Sequence, residues 1–252
     1  MTYFRDTWTI FSRAMMLSLQ NPLWVLIGLL QPILYLTLFG PLLLTVAQST
    51  GFAGDAWQVF VPGLLVQLGI FGGLFVGFGT IAEWRAGVLD RQLVSPAARS
   101  AIVAGRTLRD VVVITVQAVV LVAAASFMGL RVPLVALLIG FVLVALLGAA
   151  FSFISNAVAI ATKSEDALAP LVNTLALPIL LLSGILLPMT LAPAWLQVVA
   201  NFNPFKHIVE ALRSVFFGNF ADPIVLIGLV LAVALVVVGA WTGSRVLAAQ
   251  TR

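Results

Sequence analysis

Charged side chains are few in this chain, 13 Lys+Arg and 9 Asp+Glu in 252 residues, and half of them gather in two stretches. Residues 82–110, AEWRAGVLDRQLVSPAARSAIVAGRTLRD, hold five of the bases together with Glu83, Asp90 and Asp110. In the second stretch Lys206, Glu210 and Arg213 are spaced four and three apart, so Glu210 can pair with either base on one helix face. Ion pairing and docking are the chemistry these groups support. Catalysis fits poorly, because His207 is the only His and a hydrogen bond from its Nε2 to a neighbour is its simpler role. With no Cys and no His cluster, no transition-metal site can be assembled. The two lysines, in Thr162-Lys163-Ser164 and Phe205-Lys206-His207, lack the glycines of a Gly-x-x-x-x-Gly-Lys-Ser/Thr phosphate loop. No cofactor is therefore expected on this chain. No carboxylate is expected in mid-span either, whereas ion-coupled transporters bury ionisable groups along their path. Energy for any transport would then enter from outside the spans.

The elements that carry these groups are set by the apolar remainder. The hydrophobic class makes up 62% of the chain, and charge-free windows cover 14–54, 56–82, 111–130, 132–162, 167–205 and 223–244. A helix of about 20 predominantly apolar residues crosses a hydrocarbon core of about 30 Å, so every window can span. The apolar centres place six helices at 23–47, 58–81, 111–130, 134–161, 168–188 and 224–243. Runs such as LVALLIGFVLVALLGAA at 134–150 are apolar on every face, which excludes the alternating pattern of a transmembrane β-barrel. A secretory signal peptide is excluded because the hydrophobic pattern continues to Gly243. The pI near 10.3 raises nucleic acid as a partner, but a net charge of +4 spread among spans is better explained by basic loops on one side. With both termini inside, ten basic residues lie inside and three outside, so both ends are expected in the cytoplasm.

Three non-spanning segments stand out. Residues 2–21 place Phe4, Trp8, Phe11, Met15 and Leu19 at helical steps of three and four, the pattern of an amphipathic helix in the membrane interface. It serves either as a plain anchor or as a contact for a partner. Residues 83–94 read as a short helix with Trp84, Val88 and Leu89 near one side, stopped by Ser95-Pro96. Its charges fit either docking to a cytosolic partner or simple solvation in a positive-inside loop. Pro178, Ser183-Gly184 and Pro188 interrupt the fifth window; beyond it, in 189–223, Trp195, Leu196 and Val199 form the apolar face of one short helix, and Asn203-Pro204 separates this from a second, both too polar to span again. These either rest half-buried among the other helices or lie flat in the outer leaflet. Within the spans, Gln31, Gln67, Asn156, Asn173 and Ser183 are uncharged polar groups for helix packing or a pathway. Gly69, Gly72, Gly73 and Gly77 allow close helix approach, either within the chain or at a dimer face.

Two motifs in this order, EWRAGVLDRQLVSP at 83–96 and SGILLPMTLAPAWLQVVANFNPFKHIVEALRSVFFG at 183–218, resemble those of the type 2 ABC-transporter permeases. The resemblance covers nearly the whole chain and is greatest to the drug- and antibiotic-export branch typified by daunorubicin-resistance permeases. It implies an all-α, polytopic membrane domain over 1–252, with an interface helix at 2–21, a cytoplasmic coupling helix at 83–94 and two outer re-entrant helices at 193–218. The implied coupling residues are Glu83, Arg85, Gly87, Leu89, Arg91, Leu93, Ser95 and Pro96. Those of the outer gate are Pro188, Pro193, Trp195, Asn203, Pro204, Glu210 and Arg213. The implied partners are two cytosolic ATPase subunits that hold the ATP and Mg, a second permease copy or paralogue, membrane lipids and a hydrophobic small molecule, with no nucleic acid. A bacterial plasma membrane location follows from the same resemblance. The expected activity is export of hydrophobic or amphiphilic compounds by alternating access. Export of a lipid or lipid-linked glycan, and a non-transporting scaffold or immunity protein, are the alternatives.

Overall fold

Leu64, Leu65, Val66 and Ile70 of the helix Ala56–Arg85 are fully buried, and the rest of the chain is arranged around that helix. A computed structural model describes residues 2–20, 23–50, 56–88, 98–186 and 188–249. Among these the order is α1 (Thr2–Gln20), α2 (Leu23–Thr50), α3 (Ala56–Arg85), α4 (Arg99–Phe127), α5 (Leu134–Thr162) and α6 (Glu165–Leu182). A 3-10 turn at Met189–Leu191, α7 (Ala194–Asn201), α8 (Pro204–Phe216) and α9 (Pro223–Ala249) complete it. The helices α2 to α6 and α9 are long and apolar enough to cross a membrane. The protein is thus an all-α, polytopic membrane protein, with six spans running alternately between two ends. One, the basic end, gathers Arg85, Arg106, Arg109, Lys163 and Arg245; the opposite end carries Arg131, Lys206 and Arg213.

Small residues let the central helices meet. A Cβ on Gly73 would stand 2.7 Å from the Phe151 Cβ and 2.8 Å from the Gly148 carbonyl oxygen, so α3 and α5 touch backbone to backbone there. One turn on, the Ser155 hydroxyl donates to the Leu74 carbonyl at 2.5 Å and accepts from the Gly77 amide at 3.0 Å. The glycine face of α3 is therefore an internal contact. Ile114 brings α4 against Gly72 of α3 and Gly148 of α5. At Gly105 of α4, an added Cβ would sit 2.7 Å from the Thr7 carbonyl oxygen, which seats α1 on α4. Phe11 and Met15 of the amphipathic stripe are half-buried, while Phe4, Trp8 and Leu19 stay exposed.

The pair α7 and α8 turns back into the bundle. Asn203 caps α8, its Oδ1 accepting from the Phe205 amide at 3.0 Å, and Pro204 supplies the fixed φ of a first helical turn. The Phe205 ring lies 5.5 Å from that of Phe151, while Leu212 and Phe216 lie against Gly140. Eleven residues of α5 separate those contacts, so α8 runs about 16 Å beside the bundle axis. It packs between α9, α3 and α5 rather than flat on a surface.

Three boundaries differ from the sequence expectation. The third span starts at Arg99, not Val111, because Arg106 and Asp110 find partners inside the bundle and the helix need not end at them. The fifth span occupies 165–182 rather than 168–188. It stops where Gly184 takes φ +71 and where Arg213 draws the Gly184 and Ile185 carbonyls away from helical pairing. The helix expected to open at Glu83 does not open there. Glu83, Trp84 and Arg85 are the last residues of α3, which ends in a turn at Ala86 and Gly87, with Gly87 at φ +67. Leu89, Arg91, Leu93, Ser95 and Pro96 lie outside the described residues.

Candidate functional site

The final three residues of α3 each engage a different element. Glu83 pairs with Arg106 of α4. The Trp84 ring carries the Lys163 ammonium 5.2 Å above its centroid, and Lys163 is the left-handed residue, φ 52, that closes α5. Arg85 donates from Nη1 to the Glu165 Oε1 at 2.8 Å, at the start of α6. Successive positions on a helix point about 100° apart, so one turn of α3 reaches three neighbours at once. The Arg85–Glu165 pair is about half exposed and worth little in stability. The Glu83–Arg106 pair differs, because the Arg106 side chain is only 5% exposed.

Behind Arg106 lies a polar hub. Arg106 and Asp110 are one turn apart on α4, 4% and 2% exposed. The Arg109 Nε stands 3.0 Å from the Asp110 Oδ1, and its Nη1 donates to the Ser18 hydroxyl of α1 at 3.3 Å. From α5, Asn156 and Ser152 face the Asp110 carboxylate, and Asn156 Oδ1 accepts from the Thr80 hydroxyl of α3 at 2.5 Å. Both Asp110 oxygens, Asn156 Nδ2, Ser152 Oγ and Thr107 Oγ1 nonetheless lack a hydrogen bond. The expectation that no carboxylate lies within a span is thus corrected. Asp110 sits inside α4, flanked by two guanidinium groups, in a cluster whose two acids and two bases balance. A span starting at 111 leaves Arg106 and Asp110 outside it; their spacing of four is the signal in the sequence that sets them on one helix face.

At the opposite end Glu210, which by spacing can pair with either base, takes Lys206, and Arg213 turns to backbone carbonyls. Its Nε donates to the Val59 carbonyl of α3 at 2.8 Å and its Nη2 to the Gly184 carbonyl at 2.7 Å. Burial lowers its pKa to about 10 against the opposing pull of Glu210, so it stays a cation at neutral pH. Glu210 instead faces Lys206 at 3.5 Å, and Lys206 Nζ donates to Asn201 Oδ1 at 2.5 Å. His207 donates from Nε2 to the Asn201 carbonyl at 3.0 Å, a hydrogen bond between α7 and α8. Pro188 and Pro193 precede the 3-10 turn and α7, and Trp195 is exposed.

Of the uncharged polar residues expected in the spans, Asn156 joins the hub, whereas Gln31, Gln67, Asn173 and Ser183 do not converge on it. Gln31 is exposed and reaches the Tyr35 hydroxyl at 3.4 Å, Asn173 is exposed, and Ser183 donates to the Leu180 carbonyl at 3.2 Å. Gln67 is 1% exposed and both of its amide atoms are unpartnered.

Six alternating spans, a helical hairpin returning into one end and a charged hub at the other define a polytopic helical membrane protein. Residues 5–217 match the model of the ABC-2 type transporter family, and the chain belongs to that family. It is similar to the transport permease ycf38 of Cyanophora paradoxa, 26% identical over 85% of this chain and 75% of that protein. The ycf38 protein of Porphyra purpurea is also 26% identical, over 92% and 84%. The daunorubicin resistance ABC transporter permease protein DrrB1 of Streptomyces coeruleorubidus is 27% identical over 90% of this chain and 80% of that protein.

Proposed function

We propose that this chain is the membrane subunit of an ATP-driven exporter that moves hydrophobic or amphiphilic compounds, drugs and antibiotics among them, away from the cytoplasm. The observation that carries this reading is the basic end, where Glu83, Trp84 and Arg85 fasten α3 to α4, α5 and α6 immediately before residues 88–97. Force applied to that segment would be passed to four spans together. The sequence holds no phosphate loop, so two separate ATPase subunits would supply hydrolysis, with ATP and Mg bound there. The excess of bases supports a cytoplasmic side for the basic end and both termini, and the membrane in this reading is a bacterial plasma membrane. The largely exposed apolar faces of α2, α6 and α9 leave room for lipid and for a second permease. Export would proceed by alternating access between the two permeases. In this reading the segment leading into Leu89, Arg91, Leu93, Ser95 and Pro96 is the coupling element, and α7–α8 with Arg213 form the outer gate.

The test is co-expression with an ATP-binding-cassette subunit and reconstitution into proteoliposomes, following ATP-dependent movement of a fluorescent lipophilic cation and of a labelled phospholipid. Movement of the cation alone supports drug export, and movement of the phospholipid alone transfers the assignment to lipid export. Failure of any ATPase to associate or to drive either movement rejects the reading.

A further inference from the structure

We propose that Asp110, acting through Arg106, positions the basic end of α3 and so sets how tightly ATP hydrolysis is coupled to transport. The inference rests on the exporter reading for its coupling half alone; the positioning half stands on geometry.

Three facts lead to it. Arg106 and Asp110 share one face of α4, and Arg106 holds Glu83 near the end of α3, three residues before the turn at Ala86 and Gly87. Asp110 is enclosed by α4 and α5, with Arg109 linking it to Ser18 of α1 and with Asn156 bonded to Thr80 of α3. Ser155 of α5 has partners on α3 for both its donor and its acceptor, yet around Asp110 acceptors and donors stand unpartnered side by side. Buried polar groups left without partners are costly, so a cluster of complementary ones holds alternative pairings close in energy. Asp110 can bind the Arg106 guanidinium, or turn to Asn156 Nδ2 and Ser152 Oγ, with a small shift of α4 against α5. In the first arrangement Arg106 is shared and held rigid beneath Glu83. In the second it is released to follow Glu83. The end of α3 thereby moves with, or independently of, the spans behind it. Arg106 and Arg109 face Glu83 and Asp110 at this hub, two bases against two acids, so its re-pairing changes no net charge.

The chain contains no cysteine, so a spin-label pair at Gly79→Cys and Leu108→Cys, both at exposed positions on α3 and α4, reports their separation cleanly. The full chain is measured in lipid nanodiscs, with and without the ATPase subunit. Asp110→Asn and Arg106→Gln are expected to broaden the distance distribution at least two-fold, Arg106→Lys to restore it, and Thr107→Val, which removes an adjacent unpartnered hydroxyl, to leave it as in the unsubstituted chain. In the complex, Asp110→Asn is expected to lower transport per ATP at least five-fold with the ATPase still bound. An unchanged distribution in both Asp110→Asn and Arg106→Gln overturns the positioning role. Equal broadening by Thr107→Val overturns it as well, since that would be general loosening. Broadening with unaltered transport per ATP overturns the coupling role. Should no ATPase associate even with the unsubstituted chain, the exporter reading fails while the distance measurement still decides the positioning.

Discussion

Arg213 and Gly184 are 29 positions apart in sequence and are joined by a guanidinium-to-carbonyl hydrogen bond of 2.7 Å. The same side chain reaches Val59 at 2.8 Å, so one residue of α8 closes the end of α6 onto α3. Replacing it with Ala leaves those buried carbonyls without a donor. Arg213→Ala is expected to lower stability by about 1–3 kcal/mol, and Arg213→Lys, which keeps the charge and loses the planar fork, by less. Thermal unfolding of the purified protein in detergent checks this.

Gly73 faces the Gly148 carbonyl across the α3–α5 contact, with no room for a side chain. Gly73→Val is expected to cost about 1–3 kcal/mol or to prevent a monodisperse fold. Gly79, on the open side of the same helix with nothing within 4 Å of an added Cβ, accepts Ala without loss. Size-exclusion profiles and melting temperatures of the two variants distinguish these outcomes.

Gln67 carries an unpartnered amide in the centre of α3. Gln67→Leu removes the unsatisfied groups at similar volume and is expected to stabilise the protein by about 1 kcal/mol. If export falls while the melting temperature rises, the amide serves the substrate path; if both are unchanged or better, it does not.

The Arg85–Glu165 pair is half exposed at the mouth of the bundle. Exchanging both partners, Arg85→Glu with Glu165→Arg, is expected to change stability by less than about 1 kcal/mol. Each single exchange, which sets like charges together, is expected to weaken the contact more at low salt than at high salt. A double-mutant cycle at two ionic strengths measures both.

Much of the architecture was legible in the sequence because membrane spans are written in a local property. Long charge-free apolar runs must form helices in hydrocarbon, where backbone groups have no other partners, and α2, α3, α5 and α9 lie where those runs lie. Asn203-Pro204 likewise marked the start of α8 by capping chemistry that acts within three residues. The lower boundary of α4 was not legible, since Arg106, Arg109 and Asp110 look like solvated loop charges until Glu83 and Ser18 are brought beside them. The turn after Arg85 was hidden for the same reason, because the apolar run and the charged run belong to one helix.

Composition and spacing alone determined that this chain is a six-span helical membrane protein with its charges at the ends, since each span depends only on residues within about 20 positions of one another. Tertiary structure alone decided which charges meet. It gave Glu210 to Lys206 and Arg213 to the Gly184 carbonyl, set the glycine face of α3 against α5, and buried Asp110 between two arginines. Those choices depend on contacts made across 29 to 154 positions of sequence. In a low-dielectric interior a polar group must find such a partner wherever the fold supplies one, and local spacing carries no record of where that is.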